Sequence, residues 1–227
     1  MEIKMEERGL IIAVAGQKGG SGKSTIAENI AVGLALQNAD VILIDCDIGQ
    51  RTASKWVQRR NANIEEGGKL KQIHIALQTD NIKEGVHDAA KRYDVAIMDV
   101  AGRDGRALRA AFMLADIVYI PIRPSQNDLE TLDHVSELLS ETQDLNTKRK
   151  VFSLLTMCPT HKLVTERSDA EEFLGDFQKV MPLSRAEISE RKAYRDASFY
   201  GTGVLEGDNP RAKFEIDVLI KEIRENA

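Results

Sequence analysis

Gln17-Lys18-Gly19-Gly20-Ser21-Gly22-Lys23-Ser24-Thr25 lies between an apolar run, Leu10 to Ala15, and a segment of helical apolar spacing, Ser24 to Gln37. A glycine-rich turn after a buried strand lets successive backbone N–H groups converge on an anion, and the helix that follows adds its positive N-terminal end. Lys23 is placed to reach the β and γ phosphates of a nucleotide, and the Ser24 hydroxyl to ligate Mg²⁺. The common pattern G-x-x-x-x-G-K-[ST] is not fully met, because Gln17 stands where its first glycine belongs. Lys18 follows, so the loop carries a second lysine.

Outward from this loop, short runs rich in Val, Ile and Leu recur at Leu10 to Ala15, Val41 to Ile44, Ile73 to Leu77, Val95 to Val100, Ile117 to Ile122 and Val151 to Leu155. They read as buried strands. Between them, Ser24 to Gln37, Asn81 to Tyr93, Ala107 to Ala115, Asp128 to Ser140 and Thr165 to Val180 have helical spacing. Leu163 onward reads as mostly helical, ending in an amphipathic stretch, Ala212 to Ile223, read as a core-packing helix. The alternation calls for an α/β fold: a mostly parallel twisted sheet with helices on both faces. The length of 227 residues, with 42% hydrophobic and 30% charged residues, suits one domain over residues 1–227. Cys46 and Cys158 sit in apolar runs and read as buried thiols in a reducing compartment. No apolar run approaches the ~20 residues of a membrane span, and the charged N-terminus has no signal-peptide core. The expectation is a soluble cytoplasmic protein. A net charge of −5 argues against coating nucleic acid with the whole surface.

Two acidic motifs stand at strand ends, where open α/β sheets place their ligands. Asp45-Cys46-Asp47 follows Val41 to Ile44. Asp99-Val100-Ala101-Gly102 ends the run from Val95, and an Asp closing a buried strand needs a partner such as a metal shell.

The octamer Lys18 to Thr25 resembles the deviant Walker A loop of the ParA/MinD family of P-loop ATPases, of the SIMIBI type. The resemblance implies a set of roles. ATP or ADP is held by Lys18, Gly19, Gly20, Ser21, Gly22, Lys23, Ser24 and Thr25. Mg²⁺ is held or supported by Ser24, Asp45, Asp47 and Asp99. Lys18, Lys23 and Asp47 form the catalytic set, with Asp47 orienting the attacking water and Lys18 crossing to the nucleotide of a second copy in an ATP-dependent homodimer. The family also implies adenine contacts near Thr156, Met157 and Pro159 and in the loop before the last helix. Where family members continue D-P-Q, this chain has Asp47-Ile48-Gly49-Gln50, one residue longer.

Ile120-Pro121-Ile122-Arg123-Pro124-Ser125 and the tail Val204-Leu205-Glu206 are similar to ParA-type partition ATPases, with the small ParF-like plasmid group nearest. That branch implies non-specific DNA binding in the ATP state, a ParB-like or ParG-like centromere-binding partner that stimulates weak basal hydrolysis, and nucleoid association. No N-terminal helix-turn-helix domain is expected, because about nine residues precede the first strand. Candidate DNA-facing cations are Arg51, Lys55, Arg59, Arg60, Lys69 and Lys71, the cluster Lys148-Arg149-Lys150, and Arg103, Arg106 and Arg109. The alternatives are a MinD-like membrane-positioning ATPase and ParA-like positioning of a protein cargo. The mixed-charge C-terminus, Lys221 to Ala227, argues against stable membrane binding.

Overall fold

The computed structural model describes residues 8–47, 49–78, 81–100, 102, 105–160 and 166–227. Strands β1 (Leu10–Val14), β2 (Val41–Asp45), β3 (His74–Leu77), β4 (Val95–Asp99), β5 (Ile117–Ile122), β6 (Lys150–Cys158) and β7 (Leu183–Ser189) form one sheet in the order β3-β2-β4-β1-β5-β6-β7. Every neighbouring pair is parallel. Among the described residues the helices are α1 (Lys23–Leu36), α2 (Thr52–Glu65), α3 (Ile82–Arg92), α4 (Gly105–Leu114), α5 (Gln126–Leu129), α6 (Leu132–Glu141), α7 (Glu166–Gly175), α8 (Lys192–Tyr200) and α9 (Pro210–Asn226).

The central strands are continuous apolar runs because both faces of the sheet are covered. In β1, Ile11 and Ala13 pack into the core shared with α3, α4 and α6, while Ile12 and Val14 pack into the core shared with α1, α2, α8 and α9. The chain reverses its direction of sheet growth at β1, which lies between β4 and β5. This is the switch point where a crevice opens beyond the strand ends. Register brings three of those ends together, since Val14 pairs with Asp99 and Asp45 pairs with Asp99.

Sequence periodicity missed two elements. β7 reads Leu-Ser-Arg-Ala-Glu-Ile-Ser, and as an edge strand its buried positions alternate with Arg185 and Glu187, which breaks the apolar run. α2 buries only Ala53, Trp56, Val57 and Arg60 along one stripe, so its polar majority masks the helix. The expected helix from Asp128 to Ser140 is instead α5 and α6, interrupted at Glu130 and Thr131. The helix expected from Thr165 runs over Glu166–Gly175, and Thr165 itself lies outside the described residues. Both cysteines are buried as thiols and form no disulfide, as their apolar settings imply.

α9 is fastened to the sheet by carboxylates as well as by its buried apolar face of Ala212, Ile216, Leu219, Ile220 and Ile223. Glu222, 2% exposed, accepts from Ser184 Oγ at 2.7 Å, Arg185 N at 2.7 Å and Tyr119 Oη at 3.1 Å. Arg60 is a correction to the DNA-facing set: it is fully buried, donating to Glu206 at 2.7 and 2.9 Å and to the carbonyls of Lys71 and Gly201. Its guanidinium also lies over the Trp56 ring. Arg149 is likewise structural, donating to the carbonyls of Phe112 and Leu139 and to Thr142 Oγ1.

Candidate active site

The phosphate loop turns at Gly20 (φ 77°) and Gly22 (φ 84°), left-handed conformations that glycine adopts without a Cβ clash. Gly19 and Gly20 face open space, where a Cβ would meet nothing within 4 Å. The loop is braced from β6, since Thr156 Oγ1 donates to Ser21 O at 2.9 Å. Lys23 opens α1 and is 8% exposed, with Nζ donating to Lys18 O at 2.5 Å. Burial lowers its pKa, opposed by the charges of Asp99, Asp47 and Asp128. The ammonium is thus parked on the loop's own carbonyl, beside the place an anion takes.

Asp99, 3% exposed, ends β4 beside this ammonium, and its Oδ2 is buried without a hydrogen-bond partner. Burial pushes its pKa from 3.8 up to about 7; a hydrogen bond from Ser24 opposes that rise, and Asp45 adds to it. An orphaned carboxylate oxygen next to a serine hydroxyl is the donor set that Mg²⁺ completes. The residues present therefore fit the metal: Ser24 would hold it, with Asp99 supporting its shell. Among the described residues no group of three His, Cys, Asp or Glu could hold a metal, in keeping with a site that leans on the phosphates.

Asp45 and Asp47 part company in the structure. Asp45 is fully buried, its Oδ1 accepting from Asp47 N at 3.0 Å and its Oδ2 from Ser54 N at 2.9 Å and Ser54 Oγ at 2.8 Å. Its carboxylate is spent on fixing the loop and the first turn of α2. Asp47 lies at the cavity wall, with Oδ1 accepting from Gly49 N and Gln50 N at 2.9 and 3.0 Å. Ile48, within this longer loop, lies outside the described residues. Gly102 abuts the phosphate loop so closely that a Cβ would stand 2.1 Å from Gln17 O.

These groups line a cavity of about 430 Å³ that includes Gly19, Gly20, Lys23, Ser24, Asp47 and Asp99. Beyond Gly22 and Met157 lies a second of about 440 Å³, lined by Thr25, Ile26, Arg59, Ser189, Arg191 and Tyr194 among others. Met157 borders both and holds a left-handed φ of 53°, a strained conformation of the kind kept at ligand sites. Pro159 lines neither cavity. The loop before α9 also stays away from the second cavity, whose far wall is the end of β7 and the start of α8. Sequence reasoning set Arg59 among the DNA-facing cations, and it did not place Arg59, Glu190, Arg191, Tyr194, Arg195, Ser198 or Phe199 on that wall. The available signal was Ile188 to Arg191 as a strand end, hidden because β7 lacks an apolar run. Lys18 lines a further opening with Arg123, Pro124, Ser125, Asn127, Met157 and Glu190. Arg123 is held there by a two-pronged pair with buried Asp128.

The chain is similar to the maintenance of carboxysome distribution protein A of Halothiobacillus neapolitanus, 27% identical and covering 93% of this chain and 95% of that one. It is 29% identical to protein ParA of Rhizobium radiobacter over 59% of this chain and 58% of that one. A Cyanothece McdA complex with ATP shares the fold, with a TM-score of 0.72, 17% identity and coverage of 96% of both chains. The septum site-determining protein MinD of Pyrococcus horikoshii, solved with Mg-ADP, also shares the fold, with a TM-score of 0.69, 17% identity and coverage of 96% of this chain and 99% of that one. The sequence profile described as ATPase MipZ matches residues 10–157, from the first residue of β1 through the phosphate loop and both acidic strand ends to Met157, and on that match the chain belongs to the MipZ family of ParA/MinD-type ATPases.

Proposed function

We propose that this ATPase forms an ATP-sandwich homodimer, binds DNA without sequence preference in that state, and drives plasmid or chromosome partition with a ParB-like or ParG-like partner that stimulates hydrolysis. The observation that carries the reading is Lys18, which stands outside the phosphate cavity and lines an opening of its own. In that position it is available to a nucleotide held by a second copy, as the family resemblance implies. A trans cation of this kind contributes roughly 10³–10⁵ in rate.

In the working site Lys23 leaves Lys18 O and grips the β and γ phosphates. Ser24 would hold Mg²⁺ with Asp99 behind it, and the ion would neutralise charge on the phosphate oxygens. Asp47, with Oδ1 fixed by two amides, orients the attacking water through Oδ2, which no hydrogen bond among the described residues engages. Asp45 holds that geometry from beneath. Met157 borders the path from phosphates to nucleoside, and the 440 Å³ cavity is large enough for the nucleoside half. One continuous sheet carrying every element of the site supports treating residues 1–227 as one P-loop domain.

No helix among the described residues is long and apolar enough to cross a membrane. α9 spends Ala212, Ile216, Leu219, Ile220 and Ile223 on the core and leaves Phe214 exposed; one exposed aromatic falls short of the apolar face an interfacial helix presents, which disfavours the membrane-positioning alternative. The carboxysome-distribution relative matches nearly end to end, which favours a protein cargo as the second reading. The deciding experiment measures affinity for random-sequence duplex DNA with ADP and with ATP, beside anionic liposomes. DNA binding that appears only with ATP is expected. Equal binding in both states, or binding to liposomes alone, overturns the proposal.

A further inference from the structure

One carboxylate from outside the 440 Å³ cavity organises its far wall. Glu215, on α9 and 8% exposed, accepts from Ser189 Oγ at 2.8 Å, from Arg191 Nε and Nη2 at 2.9 and 2.7 Å, and from Tyr194 Oη at 2.7 Å. Arg191 Nη2 donates in addition to Ser189 Oγ at 3.1 Å, closing the net. Ser189, Arg191 and Tyr194 all line the cavity, whereas Glu215 does not. Burial and the bond to Glu215 keep the Tyr194 hydroxyl protonated far above its ordinary range.

The arrangement has a physical consequence. A carboxylate this shielded from water needs its hydrogen-bond donors in place, and charge-assisted bonds to a guanidinium fork are the strongest of these. Glu215 therefore fixes the positions of Arg191 and Tyr194 relative to the sheet. Arg191 Nη1 is engaged by no hydrogen bond among the described residues, so a donor pair remains for a ligand.

We propose that Glu215 is the positioning residue of the nucleoside half of the site: from α9 it holds Arg191 and Tyr194 against the base or ribose without touching the ligand. The inference rests on the reading of the 440 Å³ cavity as the nucleoside subsite. A ligand that occupies only the phosphate loop does not sense Glu215.

The test titrates wild type, Glu215→Gln and Glu215→Ala with ATP and with inorganic tripolyphosphate, both with Mg²⁺, alongside thermal melts. Wild type should bind ATP more tightly than tripolyphosphate. In Glu215→Ala, ATP affinity should fall about tenfold or more while tripolyphosphate affinity stays within about twofold. Glu215→Gln keeps an acceptor for Tyr194 and Ser189 but loses the charge facing Arg191, so its ATP affinity should fall in between. Unchanged ATP affinity in the variants, or equal weakening of both ligands, overturns the proposal. Should Glu215→Ala fail to fold, Glu215→Gln decides, and a wild-type ratio of the two affinities overturns it. Wild type that binds ATP no more tightly than tripolyphosphate removes the underlying reading of the cavity instead.

Discussion

Replacing Asp99 by asparagine should make the nucleotide-free protein more stable at alkaline pH while removing its response to Mg²⁺. Between pH 3.8 and about 7 the folded chain holds a proton on Asp99 that the unfolded chain has released, because burial disfavours the carboxylate. Stability accordingly falls as pH rises through that window and levels off above it. Moving a carboxyl over that range corresponds to roughly 4 kcal/mol at about pH 8. The side-chain amide introduced by Asp99→Asn would lack a partner where Oδ2 now has none, which returns about 1–3 kcal/mol. The net gain at about pH 8 is then about 2 kcal/mol, or about 4–8 °C in Tm for a chain of this length. Integrated from about pH 5 to about pH 8, the wild type should lose about 3 kcal/mol more than the variant. Urea unfolding in EDTA at both pH values measures this, and Mg·ADP added at the higher pH should stabilise the wild type far more than Asp99→Asn. Parallel stabilities at the two pH values, or an undiminished Mg²⁺ effect in the variant, would refute the account of Asp99 as a desolvated carboxylate kept for the metal.

Lys23→Ala should abolish turnover, while Lys18→Ala should retain ATP binding and lose turnover; wild-type hydrolysis by Lys18→Ala removes the trans-lysine assignment. Asp47→Ala should bind ATP and accumulate as a stable dimer on size-exclusion chromatography, and a monomer with ATP bound contradicts the proposed role. Glu206→Ala leaves the buried Arg60 guanidinium uncompensated and should cost about 3–5 kcal/mol in urea unfolding; a loss below about 1 kcal/mol shows that the pair is not structural. DNA binding with ATP, if a dimer engages about six phosphates, should weaken by roughly 10³ between about 50 and 200 mM salt. A slope near zero would mean that counterion release does not drive the binding.

What the sequence disclosed follows from how each residue is used. The phosphate loop was legible because glycine at positive φ, a lysine and a hydroxyl at fixed spacing answer to a single chemistry. β1, β2, β4 and β5 were legible because burial on both faces demands unbroken apolar runs. The far wall of the 440 Å³ cavity was not, since β7 has one polar-facing side and no apolar run. Basic residues were the least legible group: Arg60 and Arg149 sit in charge clusters yet are consumed by carbonyls and by Glu206. Local charge counts cannot distinguish a solvated cation from one satisfied by the backbone of another element. Asp45 shows the same limit for acids, because its partner Ser54 belongs to a helix the pattern did not reveal.

The charge balance of the site is an independent argument for the dimerisation proposed above. Within one protomer the cation aimed at the phosphates is Lys23, and its near neighbours Asp99, Asp47 and Asp128 are all acidic. Desolvation already lowers the pKa of that ammonium, so the pocket has no surplus of positive potential to spend on a triphosphate. Bound Mg²⁺ would offset part of the ligand's charge and satisfy Asp99, yet the γ phosphate gains further negative charge on its equatorial oxygens as the bond to the leaving group loosens. A monomer can therefore bind nucleotide through the loop amides, the helix end and Lys23 but has little left with which to stabilise the transition state. The proposed lysine from a second copy would meet that need only when both nucleotides are in place, because two like-charged loops approach each other favourably only around the anions between them. In the proposed dimer, hydrolysis would remove the γ phosphate that holds the two lysines together, and the same charge that accelerates the reaction would drive the protomers apart once it is over.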